Sequence, residues 1–286
     1  MQIAEIINNV KHYCNGTLSG KAIDEVTTRD HVLWGSTKPE CTGIVTTCFA
    51  SVEVIRKAHK LGANLIICHE ALFWNHGDHT DWLQNNETFQ TKHSLLDEYG
   101  ITVWRCHDYI HSGIPYRGSN EWVDGIFQGL LYKLGWEQYL TTDGKAPVGS
   151  CFDLVFSKKQ KVSNLAQYIK STLGLNGIRV IGSINSDVSK VSLIMHIVGE
   201  FDKQTINKFN DDKIECALAM ELTDFTFNEY IRDSAQLGLN KAIICVGHFN
   251  MEEPGMEYTV TWLPRAINEN IPISFVPSGD PFNYLI

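Results

Sequence analysis

The amino-acid sequence predicts an α/β protein made of two related lobes. Three observations lead there. Runs of four to six β-prone apolar residues alternate with stretches of helical periodicity, and glycine stops stand at Gly62, Gly100, Gly135 and Gly238. Three of the strand-like runs end at a histidine. Continuous apolar strands belong to sheets covered on both faces, and such sheets carry their chemistry at the carboxyl ends of the strands.

Residues 1–14 alternate polar and apolar positions as an amphipathic helix, and Thr17 to Asp30 reads as a polar connection. Gly43 to Cys48 is the first strand. A helix from Val52 to Leu61 stops at Gly62, and the Leu65 strand then reaches His69-Glu70. Strand, helix and strand within some thirty residues make a parallel, right-handed unit. Asn75 to Asn86 reads as a loop with a short helix, and Thr88 to Tyr99 as a helix ended by Gly100. The strand Ile101–Cys106 runs into His107-Asp108-Tyr109-Ile110-His111, and Trp122 to Leu134 closes the first lobe, 1–135, as a helix.

The second lobe, 136–286, opens with turn signals at Asp143-Gly144 and Pro147 to Gly149. Strands are predicted at Phe152–Phe156, Ile178–Ile184, Lys190–Val198, Cys216–Met220 and Lys241–Val246, and helices at Val162–Leu173, near Lys203–Asn210 and at Thr226–Leu237. Pro254 suits the first turn of a helix running to Asn268. Ile273–Val276 is a last strand, in a segment able to pack back on the first lobe. Ala58 to His69 and Ala235 to His248 share a helix end, a glycine stop, an apolar strand and a histidine. The grammar of α/β chains explains the glycine and the strand but not the histidine, so the lobes are read as related and facing one site.

The 286 residues, 43% hydrophobic, are enough for a substantial core. A net charge of -9 without a basic cluster speaks against nucleic acid as the main partner. The amino terminus lacks the basic and apolar regions of a signal peptide, and no apolar run approaches membrane-spanning length. Eight scattered cysteines without a Cys-x-x-Cys suit a reducing cytosol, with the cysteines as packing residues. A soluble, cytoplasmic protein is expected.

The chemistry sits at three strand ends: His69-Glu70, His107-Asp108 with His111, and His248 with Glu252. Charged groups at buried strand ends are costly unless paired or bound to metal. Imidazole nitrogen with carboxylate oxygen suits zinc, iron, manganese, cobalt or nickel. So many ligands exceed one tetrahedral ion; two divalent ions roughly 3.5–4 Å apart would use them all. His107/His111 and His248/Glu252 are four apart, so a helical turn would put each pair on one face. Pro254, however, argues for a helix beginning after Glu252, leaving the second pair on a loop. A lone histidine after a strand is more often structural than a ligand; three such clusters in one chain outweigh that. His12, His31, His59, His93 and His196 are assigned structural roles. No phosphate loop or nucleophile elbow is present.

On Gly62 to Glu70, Arg105 to His111 and Gly247-His248-Phe249-Asn250-Met251-Glu252, the sequence resembles the Nif-three-like dinuclear metal-centre proteins, often called "GTP cyclohydrolase I type 2" homologues. The resemblance implies that His69, His248 and Glu252 are metal ligands. Glu70 stands where the family's second histidine does, and His111 where its aspartate does. Ligand count and composition are therefore kept, which implies both as ligands. His107 belongs to the same motif, and Asp108 either binds directly or orients a histidine. The resemblance also implies two metal ions between the lobes and a ring-shaped homo-hexamer.

The leading expectation is a metal-dependent hydrolase of a small polar or nucleotide-like molecule. The alternative is a non-catalytic metal-binding, metal-delivery or scaffold protein. Family membership does not decide the reaction.

Overall fold

Two five-stranded sheets, one with a single antiparallel edge and one with two around a parallel core, organise the chain in the computed structural model, which describes residues 1–197, 202–222 and 225–285. They belong to two compact units: Met1–Gly129 with Glu253–Gly279, and Leu130–Glu252 with Asp280–Ile286. The sequence boundary at 135 thus lies a few residues past the division, which falls within one helix. The segment 253–279 joins the first unit because its strand pairs there.

In the first unit, β1 (Val32–Trp34), β2 (Ile44–Thr47), β3 (Leu65–Cys68), β4 (Thr102–Arg105) and β10 (Ile273–Phe275) lie in the order β10-β2-β3-β4-β1. All pairings are parallel except that of β1 with β4. The edge strand β1 escapes sequence reading: it is three residues long, half-exposed and irregular in register. Every residue of β2, β3 and β4 is buried, as continuous apolar runs require. Helix α2 (Val52–Lys60) starts on Ser51, whose hydroxyl accepts the Val54 N–H, and α3 (Glu87–Tyr99) starts on Asn86 and stops at the left-handed Gly100. The register aligns Thr47 with Cys68 and Cys68 with Arg105. That alignment sets the ends of three neighbouring strands side by side and determines where the next residue of each can reach.

Helix α1 (Ile3–Tyr13) buries Ile3, Ile6, Ile7 and Val10. The stretch read as a polar connection holds a small hairpin, Thr17–Leu18 with Lys21–Ala22. The one-turn α4 (Asp108–Ser112) follows β4, and α5 is Gly125–Leu134. The helix expected from Trp122 therefore begins later, since Trp122–Val123 pairs with Ile114–Pro115.

In the second unit, β5 (Phe152–Lys161), β6 (Arg179–Gly182), β7 (Asp187–Ile197), β8 (Cys216–Leu222) and β9 (Ala242–Cys245) lie in the order β6-β9-β8-β7-β5. The pairings β7-β8 and β8-β9 are parallel, and the edges β5 and β6 are antiparallel. The expected strand end Val198 lies outside the described residues. Helices α6 (Val162–Leu173), α7 (Asp202–Asp211) and α8 (Phe227–Gln236) connect the strands. Ile194, Phe209, Ala217, Phe227 and Ile243 share one apolar core.

Helix α9 (His248–Ile267) corrects one expectation. It does not begin after Glu252; it begins at His248 and continues through Pro254. A proline within a helix forfeits a hydrogen bond and crowds the preceding turn. Close packing favours the continuous form. A Cβ on Gly255 would lie 2.5 Å from Ile126 Cα and one on Gly129 would lie 2.6 Å from Gly255 Cα, so α5 and α9 meet backbone to backbone. His248 and Glu252 consequently sit on one helical face, not on a loop. Among the described residues no helix is long and apolar enough to cross a membrane.

Candidate metal centre

The first unit brings three imidazoles together at the ends of β3 and β4. His69 leaves β3 with its backbone N–H donating to the Cys48 carbonyl (3.0 Å), as the Glu70 N–H does (2.9 Å). The Cys106 N–H donates to the Cys68 carbonyl (2.8 Å), which places His107 beside His69. Ring centroids lie 4.5 Å apart for His69 and His107, stacked within 15°, and 5.0 Å from each of these to His111. One nitrogen from each ring falls within 4.8 Å of the other two, and a Glu70 oxygen lies within the same distance of a His69 nitrogen.

What each ring's Nδ1 touches decides its chemistry. His69 Nδ1 lies 3.1 Å from the Cys106 carbonyl oxygen, His107 Nδ1 2.9 Å from Asp108 Oδ1, and His111 Nδ1 2.7 Å from Asp124 Oδ2. A carbonyl or carboxylate oxygen only accepts, so each Nδ1 carries a proton, and in the neutral ring Nε2 then presents a lone pair. That is the tautomer a divalent cation binds, with the outer carboxylate fixing the ring and raising its basicity. The donor set therefore fits a borderline cation.

Asp108 is placed differently from the histidines. Its Oδ1 accepts from His107 and from Arg29 Nη1 (3.2 Å), and its Oδ2 accepts the Arg29 backbone N–H (2.9 Å) and lies 2.9 Å from the Thr28 hydroxyl. Burial pushes its carboxyl up, but the His107, Arg29 and Thr28 hydrogen bonds outweigh this and hold it well below the usual range. It orients His107. Glu70 Oε2 lies 3.4 Å from the fully buried Arg105 guanidinium and 4.0 Å from His76 Nδ1. Arg105 also donates to the His69 and His76 carbonyls and to Asp78 (3.0, 3.3 and 3.0 Å), fixing the loop after β3. His76 thus adjoins the cluster, while the His79 ring packs against Gly77.

Two aspartates escaped the sequence reading. Asp30 accepts the backbone N–H groups of His107, Asp108 and Tyr109 (2.6, 2.8 and 3.3 Å), capping α4 from a distant loop. Its burial and the neighbouring Asp108 charge raise its carboxyl, against hydrogen bonds that lower it. Asp124 caps α5, accepting the Ile126 and Phe127 N–H groups (2.9 and 3.0 Å) on Oδ1 while Oδ2 takes His111. An aspartate just before a helical run was a legible cap signal; the link to His111 was not.

In the second unit the parallel register sets His196 opposite Glu221. Glu221 Oε1 accepts from His196 Nδ1 (2.6 Å), and Oε2 accepts from His248 Nδ1 (2.9 Å). Burial opposes ionisation of Glu221, yet these two hydrogen bonds bring its carboxyl down to about 2. His248 Nε2 lies 3.3 Å from Glu252 Oε1 across one turn of α9. With a cation in place of the shared proton, both atoms would be ligands on one ion. Gly247, at φ +107°, makes the turn into the helix, and a Cβ there would meet Asn250 Nδ2 at 2.8 Å. His196, assigned above a purely structural role, instead joins a group able to hold a metal with Glu221 and His248. Glu221 follows the same strand-end rule as the predicted ligands and could have been found by it.

The cysteines are packing residues, and six of the eight are buried. Burial pushes Cys68 and Cys216 up to about 12, so neither is a thiolate.

Comparison with known proteins agrees with the fold. A "GTP cyclohydrolase 1 type 2 homolog" of Clostridium perfringens is 23% identical over 291 residues, covering 100% of both chains. A hypothetical protein of Staphylococcus aureus superposes with a TM-score of 0.72 at 15% identity, over 100% of this chain and 99% of that one. A Bacillus cereus protein related to NIF3 superposes with a TM-score of 0.70 at 13% identity, with coverage of 100% and 99%. At these identities the structures speak for the fold alone. The family model described as Duf34/NIF3 (NGG1p interacting factor 3) matches residues 1–281, and the chain belongs to that family.

Proposed function

We propose that this protein binds two divalent metal ions through His69, Glu70, His107, His111, His248 and Glu252, and acts as a metal-dependent hydrolase of a small polar or nucleotide-like molecule. The observation that carries the reading is the common tautomer of His69, His107 and His111, each with Nδ1 against an obligate acceptor. When bound, divalent cations supply Lewis acidity to the substrate and activate water. The chain's own residues do the rest. Asp108, Asp124 and Glu221 hold His107, His111 and His248 in the ligating tautomer, and Arg105 places the Glu70 carboxylate. The name of the Clostridium relative points to hydrolytic chemistry in that protein and leaves the substrate here open.

Elemental analysis of the purified protein tests the reading. Near two equivalents of metal per chain, reduced in both His111→Ala and Glu252→Ala, together with turnover of an ester, phosphoester or purine in a substrate screen, is the expected result. Less than one equivalent, unchanged in the variants, would end it.

The burial of His69 and Glu70, 0% and 5% exposed, favours a second reading: a structural or delivered metal with no turnover. Full metal content with no activity across the screen decides for that one. In either reading the protein is proposed to be a cytosolic homo-hexamer, on the strength of the resemblance; sedimentation equilibrium of the native protein tests the assembly.

A further inference from the structure

A cavity of about 320 Å³ opens in the second unit where β8 and β9 end, bounded by Arg179, Glu221, Gly247 and His248 and by Phe282 and Tyr284 of the carboxyl-terminal tail. Its size falls within the range of small-molecule sites.

The tail wall is built rather than draped. Asp280 Oδ2 accepts the Asn176 N–H (2.9 Å), and Asn176 Nδ2 donates to the Phe282 carbonyl (2.8 Å). Asp280 Oδ1 accepts the Phe282 N–H (3.1 Å) and lies 3.3 Å from Asn250 Nδ2 on α9. The Tyr284 ring lies over Gly177, where a Cβ would overlap it. Two large aromatics are thus held with 49% and 37% of their surface exposed, a costly arrangement unless something covers them.

The charges around the cavity are unequal in availability. Asp280 is engaged by Asn176, Asn250 and the tail backbone, and Glu221 by two imidazoles. Arg179, exposed on the edge strand β6, supplies a planar guanidinium suited to an oxyanion. The amino end of the 20-residue helix α9, at His248, adds the positive end of its dipole.

We infer that this cavity is a binding subsite for a planar ring carrying one anionic group, with Arg179 facing the anion and Phe282 and Tyr284 facing the ring. The inference deepens the hydrolase reading and rests on it for one point only, that His248 on the cavity wall is also a metal ligand.

Phenylphosphonate, whose P–C bond resists hydrolysis, and methylphosphonate are the probes, titrated by calorimetry into the metal-loaded full-length protein. One phenylphosphonate per chain is expected, bound about tenfold or more tightly than methylphosphonate, the scale of one aromatic stack. Arg179→Ala should weaken both probes, while Tyr284→Ala and Phe282→Ala should erase the preference for the phenyl compound, with metal content unchanged by elemental analysis. Equal affinities for the two probes, or unaltered binding in all three variants, would overturn the inference. The same titration on chelator-treated protein separates the two proposals. A ring preference in a protein that never carries metal leaves the cavity standing and the hydrolase reading fallen; full metal content without ring preference does the reverse.

Discussion

Asp124 shows how a single side chain ties backbone to chemistry. One carboxylate oxygen caps α5 and the other accepts from His111 Nδ1. Asp124→Asn can keep the cap but turns an amide N–H₂ toward His111, forcing the tautomer whose Nε2 carries the proton. Metal affinity, read by competition with a chromophoric chelator, should fall about 10- to 100-fold with little change in stability; unchanged affinity would remove His111 from the ligand set. Lys92 makes a second case. The residue is 2% exposed, and its ammonium donates to the Leu72 carbonyl (2.7 Å) and lies 4.6 Å from the Phe49 ring centre. Burial lowers it from 10.5 to about 8. Between those values the unfolded chain holds a proton that the folded one has released, so stability rises with pH through that window and is flat below it. Relative to Lys92→Met, the wild type should gain up to about 1.4 kcal/mol per pH unit from pH 8 to 10 in urea melts; parallel pH profiles would contradict the assignment.

Among the elements, α9 departs furthest from its sequence signals. Pro254 reads as a beginning, yet the helix starts six residues earlier because the glycine contact with α5 holds the turn on both sides of it. Alanine normally stabilises a helix relative to glycine by about 1 kcal/mol. Here Gly255→Ala should instead destabilise by roughly 1–3 kcal/mol, since the added methyl meets backbone that cannot move aside; a raised unfolding midpoint would show that the helices can part. The strands behaved oppositely. β2, β3, β4 and β9 were legible as apolar runs, because burial on both faces leaves one way to read them. The edge strand β1 was not, since half its environment is solvent.

For the whole molecule, each compact unit carries its own cluster, His69-His107-His111 in the first and His196-Glu221-His248 in the second. Metal bound to the folded chain and not to the unfolded one stabilises by about 2.7 kcal/mol at a hundredfold excess over Kd. Chelation should therefore lower the thermal midpoint by roughly 5–10 °C at this chain length, and added zinc or manganese should restore it. Identical midpoints with chelator and with metal would leave the clusters as hydrogen-bonded histidines.

The sequence by itself determined the fold class, the strand ends and the residue types waiting there, because hydrophobic period and glycine stops are local properties of the chain. It also supplied the i,i+4 spacing of His107 with His111 and of His248 with Glu252. Apart from His107, whose acceptor is its sequence neighbour Asp108, only the tertiary structure decided which ring nitrogen carries the proton, since the acceptors come from residues 13 to 37 positions away: Asp124 for His111, the Cys106 carbonyl for His69 and Glu221 for both His196 and His248. Spacing brings a candidate ligand to the site, but tautomer and charge depend on through-space contacts that no local pattern encodes.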